Sequence, residues 1–204
     1  MPNVTLSIDL YTLLGIVSAA LSTWAFCPYI LNTLRGRTKP QRASWLIWSV
    51  LSSIAFVLQI YEGAIESAWF VGSQAFGTVT VFLLSLRYGS GNLLGRQDAA
   101  VLIVALMGLI AWKLTDTPAY ALAIIIGISA LGGSVTVTKS YRFPSSETLT
   151  TWVLFAVASF LAVIPVQTAG WMLLAYPLYL FVLYTAIVLA ILFGQRMRRL
   201  GTPA

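Results

Sequence analysis

Residues 35–48 read Arg-Gly-Arg-Thr-Lys-Pro-Gln-Arg-Ala-Ser-Trp-Leu-Ile-Trp, and residues 139–152 read Lys-Ser-Tyr-Arg-Phe-Pro-Ser-Ser-Glu-Thr-Leu-Thr-Thr-Trp. A shift of 104 residues lays Arg35 on Lys139, Pro40 on Pro144, Ser44 on Thr148 and Trp48 on Trp152. Each stretch is a basic loop, a proline, a hydroxyl residue at a helix start and a tryptophan one turn in. Apolar segments of membrane length flank both. A duplicated helical unit in a membrane is a common plan of transporters, with the substrate site between the copies.

Composition fixes the class. The chain is 59% hydrophobic and 9% charged, where soluble domains carry about 25% charged residues. Seven apolar segments run roughly over 9–34, 43–61, 67–87, 98–114, 118–138, 148–166 and 169–195, each near the ~20 residues that a bilayer span needs. The expected fold is all-α: a polytopic membrane protein of seven transmembrane helices. Lacking histidine and holding one cysteine, Cys27, the chain cannot form an internal disulfide or the usual His/Cys metal sets. Cys27 is expected to pack as a small apolar residue inside its helix. No basic leader precedes the first apolar run, so no cleaved signal peptide is expected. No cofactor or metal is implied.

Net charge is +6, and the charges sort by loop. Arg35, Arg37, Lys39, Arg42, Arg87, Arg96, Lys139, Arg142, Arg196, Arg198 and Arg199 fall on one side of a seven-helix topology, and only Lys113 on the other. Such a bias marks the cytoplasmic side. It places the C-terminus inside and the N-terminus outside, with the basic residues facing lipid head groups rather than nucleic acid. Residues 1–87 then form a first three-helix repeat, 88–117 a linker holding the fourth helix, and 118–204 a second repeat. The odd linker helix makes the repeats parallel, a 3+1+3 plan.

Polar residues inside apolar spans are the candidate site. Ser44, Trp48, Ser52, Ala55 and Gln59 recur at helical spacing in the second segment. Thr148, Trp152, Ala156, Ser159 and Val163 follow at the same shift in the sixth. One face carries each set, and either helix packing or a central pathway accounts for it. Gln59 and Gln74 need hydrogen-bond partners in hydrocarbon. Tyr176 offers a hydroxyl beside Pro177, which frees a backbone carbonyl and can kink its helix. Asn32 lies toward the cytoplasmic mouth. Trp24, Trp45, Trp69 and Trp171, near helix ends, read as interface anchors. No ionisable side chain lies mid-span, which favours passive facilitation over a proton relay. Glu147 is expected to pair with loop arginines. No acid pair, nucleophile–base pair or metal set suggests an enzyme.

The chain resembles the PQ-loop superfamily, which includes SWEET and SemiSWEET sugar transporters, cystinosin-like carriers and KDEL receptors; Pnu-type vitamin carriers share the related fold. The resemblance rests on Pro28-Tyr29-Ile30, on Pro40-Gln41 in the loop 35–42, on Ser44-Trp45 and on Tyr61-Glu62-Gly63. Departures are plain: Pro28 is followed by Tyr29, Gly132-Gly133-Ser134-Val135 offers no second hinge proline, and the family's paired asparagines and embedded aspartates are absent. The resemblance implies a facilitator of a small polar solute, such as a sugar, nucleoside or vitamin, in the plasma (inner) membrane. Gln59, Gln74, Tyr176, Trp48, Trp152, Ser52 and Asn32 would bind the solute, and Pro28 and Pro177 would act as hinges or gates. The alternative is a non-transporting receptor or assembly factor that binds a peptide or protein. A homo-oligomer is left open.

Overall fold

A computed structural model describes residues 10–61, 65–92, 103, 110, 114, 118–166 and 171–200. Six long helices are seen: α1 (Leu10–Leu34), α2 (Arg42–Tyr61), α3 (Ile65–Tyr88), α4 (Pro118–Arg142), α5 (Leu149–Val166) and α6 (Trp171–Arg199). A single 3-10 turn, Pro144–Ser146, precedes α5. The fourth apolar segment, 98–114, lies almost wholly outside the described residues. Four stretches are long and apolar enough to cross a membrane: Leu13–Leu34, Phe70–Tyr88, Leu122–Arg142 and Leu174–Arg199. The apolar runs of α2 and α5 are shorter, Arg42–Val57 and Leu149–Ile164.

Helices form because a chain this apolar must satisfy its backbone polar groups internally. Polarity then runs from inside to outside in reverse of a soluble bundle. Leu13, Ile16, Phe76, Leu83, Val157, Phe160 and Val182 are exposed on the outer faces, whereas Ser18, Ser22, Ser52, Gln74, Thr78, Ser129 and Ser159 are buried. Lipid accepts the first set, and the second finds partners only between helices.

The helices pack by one scheme used twice. In the first half α3 packs against both α1 and α2; in the second α6 packs against both α4 and α5. The halves meet where α1 packs on α5 and α4 on α2. Pro28 and Pro177 both sit inside continuous helices, α1 and α6.

All described Lys and Arg residues gather at one end of the bundle, at the C-terminal ends of α3, α4 and α6, in the loop after α1 and at the start of α2. Local chemistry builds this end tightly. Gly36, with φ +72°, closes α1 in the left-handed conformation that glycine adopts without steric cost. Arg42 then caps α3: its guanidinium donates to the carbonyls of Ser85 (2.9 Å), Gly91 (2.9 Å) and Leu86 (3.4 Å). The two similar loops touch, with Lys39 N donating to Ser146 O at 3.1 Å.

Candidate functional site

A cavity sits in the bundle core where all six described helices meet. Phe26 comes from α1, Trp48 and Ser52 from α2, Gln74 and Thr78 from α3 and Ser129 from α4, with Trp152 from α5 and Tyr176 and Tyr184 from α6. Its free volume is about 20 Å³, room for roughly one water. The wall is aromatic and hydroxylated, and the described residues that line it include no charged side chain.

Hydrogen bonds hold most of the polar lining. Gln74 Nε2 donates to Ser22 Oγ at 2.6 Å. The Ser52 and Thr78 hydroxyls lie 2.8 Å apart, and Thr78 donates to Gln74 O at 2.7 Å. Three groups remain under-used. Tyr184 OH reaches Gln74 Oε1 only at 3.5 Å. Trp48 Nε1 reaches Ser129 O only at 3.5 Å. The Tyr176 hydroxyl has no hydrogen-bond partner among the described residues, although the residue is 9% exposed. An acceptor, an indole donor and a hydroxyl are therefore available to an occupant. Aromatic rings surround them: Trp48 and Trp152 stand 6.2 Å apart, edge to face, and Trp152 lies 5.8 Å from Tyr184.

Of the residues that sequence suggests, Gln74, Tyr176, Trp48, Trp152 and Ser52 thus line one cavity. The side chain of Gln59 lies outside the described residues. Asn32 is not at the cavity; its Nδ2 donates to Thr148 Oγ1 at 3.3 Å, across the halves. Thr136 Oγ1 donates to Ser44 Oγ at 3.0 Å, also across the halves. The shift of 104 carries Asn32 to Thr136 and Ser44 to Thr148, so the two bonds occupy matching positions.

Three expectations need correction. Trp45 is no interface anchor: it is 2% exposed, because Phe26, Tyr29, Trp48 and Trp152 surround its ring. Trp24, at 66% exposed, does suit an anchor. Cys27 is exposed rather than packed inside, since it lies on the face of α1 turned away from the other helices. Glu147 pairs with a lysine, not a loop arginine, at the closed basic end of the bundle. Its Oε1 lies 2.6 Å from Lys139 Nζ, and its side chain is 1% exposed. Its Oε2 accepts from Trp152 Nε1 at 3.1 Å and from Tyr29 OH at 3.2 Å. Lys139 Nζ also donates to the Lys39 carbonyl. Sequence reasoning missed Tyr29 and Lys139 as site residues. The available signal was an acid at a helix start beside a proline, with a lysine two turns before it.

Among the described residues no cluster of metal-ligating side chains occurs. Comparison with family models, with curated proteins and with solved structures returns no match.

Proposed function

We propose that this chain is a membrane transporter for a small uncharged polar solute, working by alternating access between residues 1–87 and 118–204. One observation carries the reading: a polar, aromatic, uncharged cavity lies where helices of both halves meet in a bundle with an apolar exterior. The repeated packing scheme and the matched Asn32–Thr148 and Thr136–Ser44 bonds support two parallel repeats joined by the segment 88–117, as in the SWEET-like plan of the PQ-loop superfamily. The cavity has room for roughly one water, too little for a sugar or nucleoside, so alternating access requires its walls to part before a solute enters. A charged solute would find no counter-charge in the wall, and an unpaired buried charge is costly. The described lining holds no carboxylate, lysine, arginine or histidine to relay a proton, which supports facilitated movement.

The test is a melting screen in detergent with neutral sugars, nucleosides and vitamins, followed by counterflow of the stabilising solute in liposomes. A ligand at a hundredfold excess over its Kd adds about 2.7 kcal/mol. Tyr176→Phe removes a hydroxyl with no hydrogen-bond partner among the described residues, so it should leave melting unchanged. It should weaken solute binding about three- to tenfold, the loss of one hydrogen bond. Binding without flux would support a receptor instead, and unaltered affinity in Tyr176→Phe would remove that residue from the site.

A further inference from the structure

Two hydrogen-bonded paths lead from the cavity wall to the Glu147 carboxylate. Trp152 lines the cavity with its ring and donates its Nε1 to Glu147 Oε2 at 3.1 Å. Trp45, also in the wall, donates its Nε1 to Tyr29 OH at 3.2 Å, and Tyr29 donates in turn to the same carboxylate oxygen at 3.2 Å. The carboxylate is thus bonded directly to one wall residue, Trp152, and through Tyr29 to another, Trp45. Its second oxygen is bonded to Lys139, which reaches the first-half loop at the Lys39 carbonyl.

We propose that Glu147 is the coupling residue of this transporter: it holds the basic end closed, and solute that displaces Trp45 and Trp152 releases it. The proposal rests on the transporter reading above. The free volume of about 20 Å³ admits nothing much larger than water, so an entering solute must move the wall. A shift of about 1 Å at either indole takes its bond from near 3.1 Å beyond hydrogen-bonding range.

The division of partners between the halves makes the latch reversible. Glu147, Lys139 and Trp152 belong to the second half; Tyr29 and the Lys39 carbonyl belong to the first. When the halves part, the latch loses the Tyr29–Glu147 and Lys139–Lys39 bonds, and the ion pair stays whole. No buried charge is left alone at any point, which is the costly outcome for such pairs. Opening also brings water toward the end that holds Thr33, Ser140 and Thr151, three buried hydroxyls with no hydrogen-bond partner among the described residues.

Thiol accessibility tests this without knowledge of the solute. Ser52→Cys is introduced in a Cys27→Ser background, and a small membrane-impermeant thiol reagent is applied to right-side-out and inside-out vesicles. Glu147→Gln should speed labelling from the basic side about tenfold, as for loss of a hydrogen bond to a charged acceptor, and slow it from the other side. Tyr29→Phe keeps the ion pair and loses one cross-half bond. It should act in the same direction by about tenfold, since the bond it removes is one to a charged acceptor. Labelling at the parent rate in both variants overturns the latch and leaves the transporter reading standing. Equal acceleration from both sides also overturns it, since that marks a loosened fold. A thiol at position 52 that stays unreactive from both sides in every background removes the transporter reading, and the latch with it.

Discussion

Gly77→Ala probes the link between packing and the cavity. A Cβ added at Gly77 on α3 would overlap the edge of the Phe26 ring on α1, at Cδ2, Cε2 and Cζ. The ring cannot swing aside freely. It stands edge-on to Phe155 at 4.8 Å, lies 6.5 Å from Trp45 and is 4% exposed. Normal carbon contacts are about 3.5–4.0 Å, so the ring or the helix must shift by more than about 1 Å. Overpacking of this kind costs about 1–3 kcal/mol. Three overlapping atoms on a pinned ring place it near 3. Replacing a helical glycine by alanine returns about 0.5–1 kcal/mol, so the clash wins by about 2 kcal/mol. The easiest route for the ring is into the cavity, which it lines. Gly77→Ala should therefore lower the detergent melting temperature by several degrees and also weaken solute binding. Phe26→Leu in the Gly77→Ala background should restore most of both. Gly15→Ala and Gly127→Ala serve as controls, because no described residue lies within 4 Å of an added Cβ at either site; they should be neutral or slightly stabilising. Parent-like melting in Gly77→Ala, or no recovery with Phe26→Leu, would refute the packing argument.

Two further predictions follow from the charges. In a double-mutant cycle, Lys139→Met leaves a carboxylate 1% exposed without its cation and should cost about 3–5 kcal/mol. Glu147→Gln should cost less, because Lys139 keeps the Lys39 carbonyl; the double variant should lose well under the sum of the two single losses, as read from unfolding in detergent, and strict additivity would mean that the pair is uncoupled. Reporter fusions at the two termini should give opposite signals, the C-terminal one cytoplasmic, if the proposed seven-helix count and the charge sorting are right; matching signals would sink the parallel-repeat plan.

The helical class and most of the cavity were legible from residue types alone. Polar side chains on membrane-length apolar helices have nowhere to go but inward, so Ser52 and Gln74 announced themselves, and Tyr176 did so beside Pro177. The tryptophans one turn into α2 and α5 were flagged by the matching loops. Trp45 was misread because a position near a helix end suits an interface anchor equally well. What buries it is a set of rings from α1 and from the opposite half, including Trp152 at 6.3 Å. The partners of Glu147 were hidden for a similar reason. Its loop is polar, and its partner Tyr29 lies 118 residues away, where no local pattern reaches. Asn32 had a readable signal that went unused: the shift of 104 lays it on Thr136, and each of these residues bonds the helix start of the opposite half.

That shift also separates what the halves share from what they do not. The cross-half bonds at Asn32–Thr148 and Thr136–Ser44 recur, so both helix-start contacts are held alike. The latch does not recur. The same shift sets Glu147 against Ala43, Lys139 against Arg35 and Tyr29 against Gly133. A buried ion pair carries a desolvation cost of several kcal/mol per ion, and two such pairs facing one another across the same junction would incur it twice. The neutral bonds, one amide–hydroxyl and one hydroxyl–hydroxyl, carry no ion-desolvation cost and can be repeated. Holding one charged contact among matched neutral ones therefore lets the basic end close firmly at a single point, while the remaining cross-half bonds exchange readily with water as the halves part.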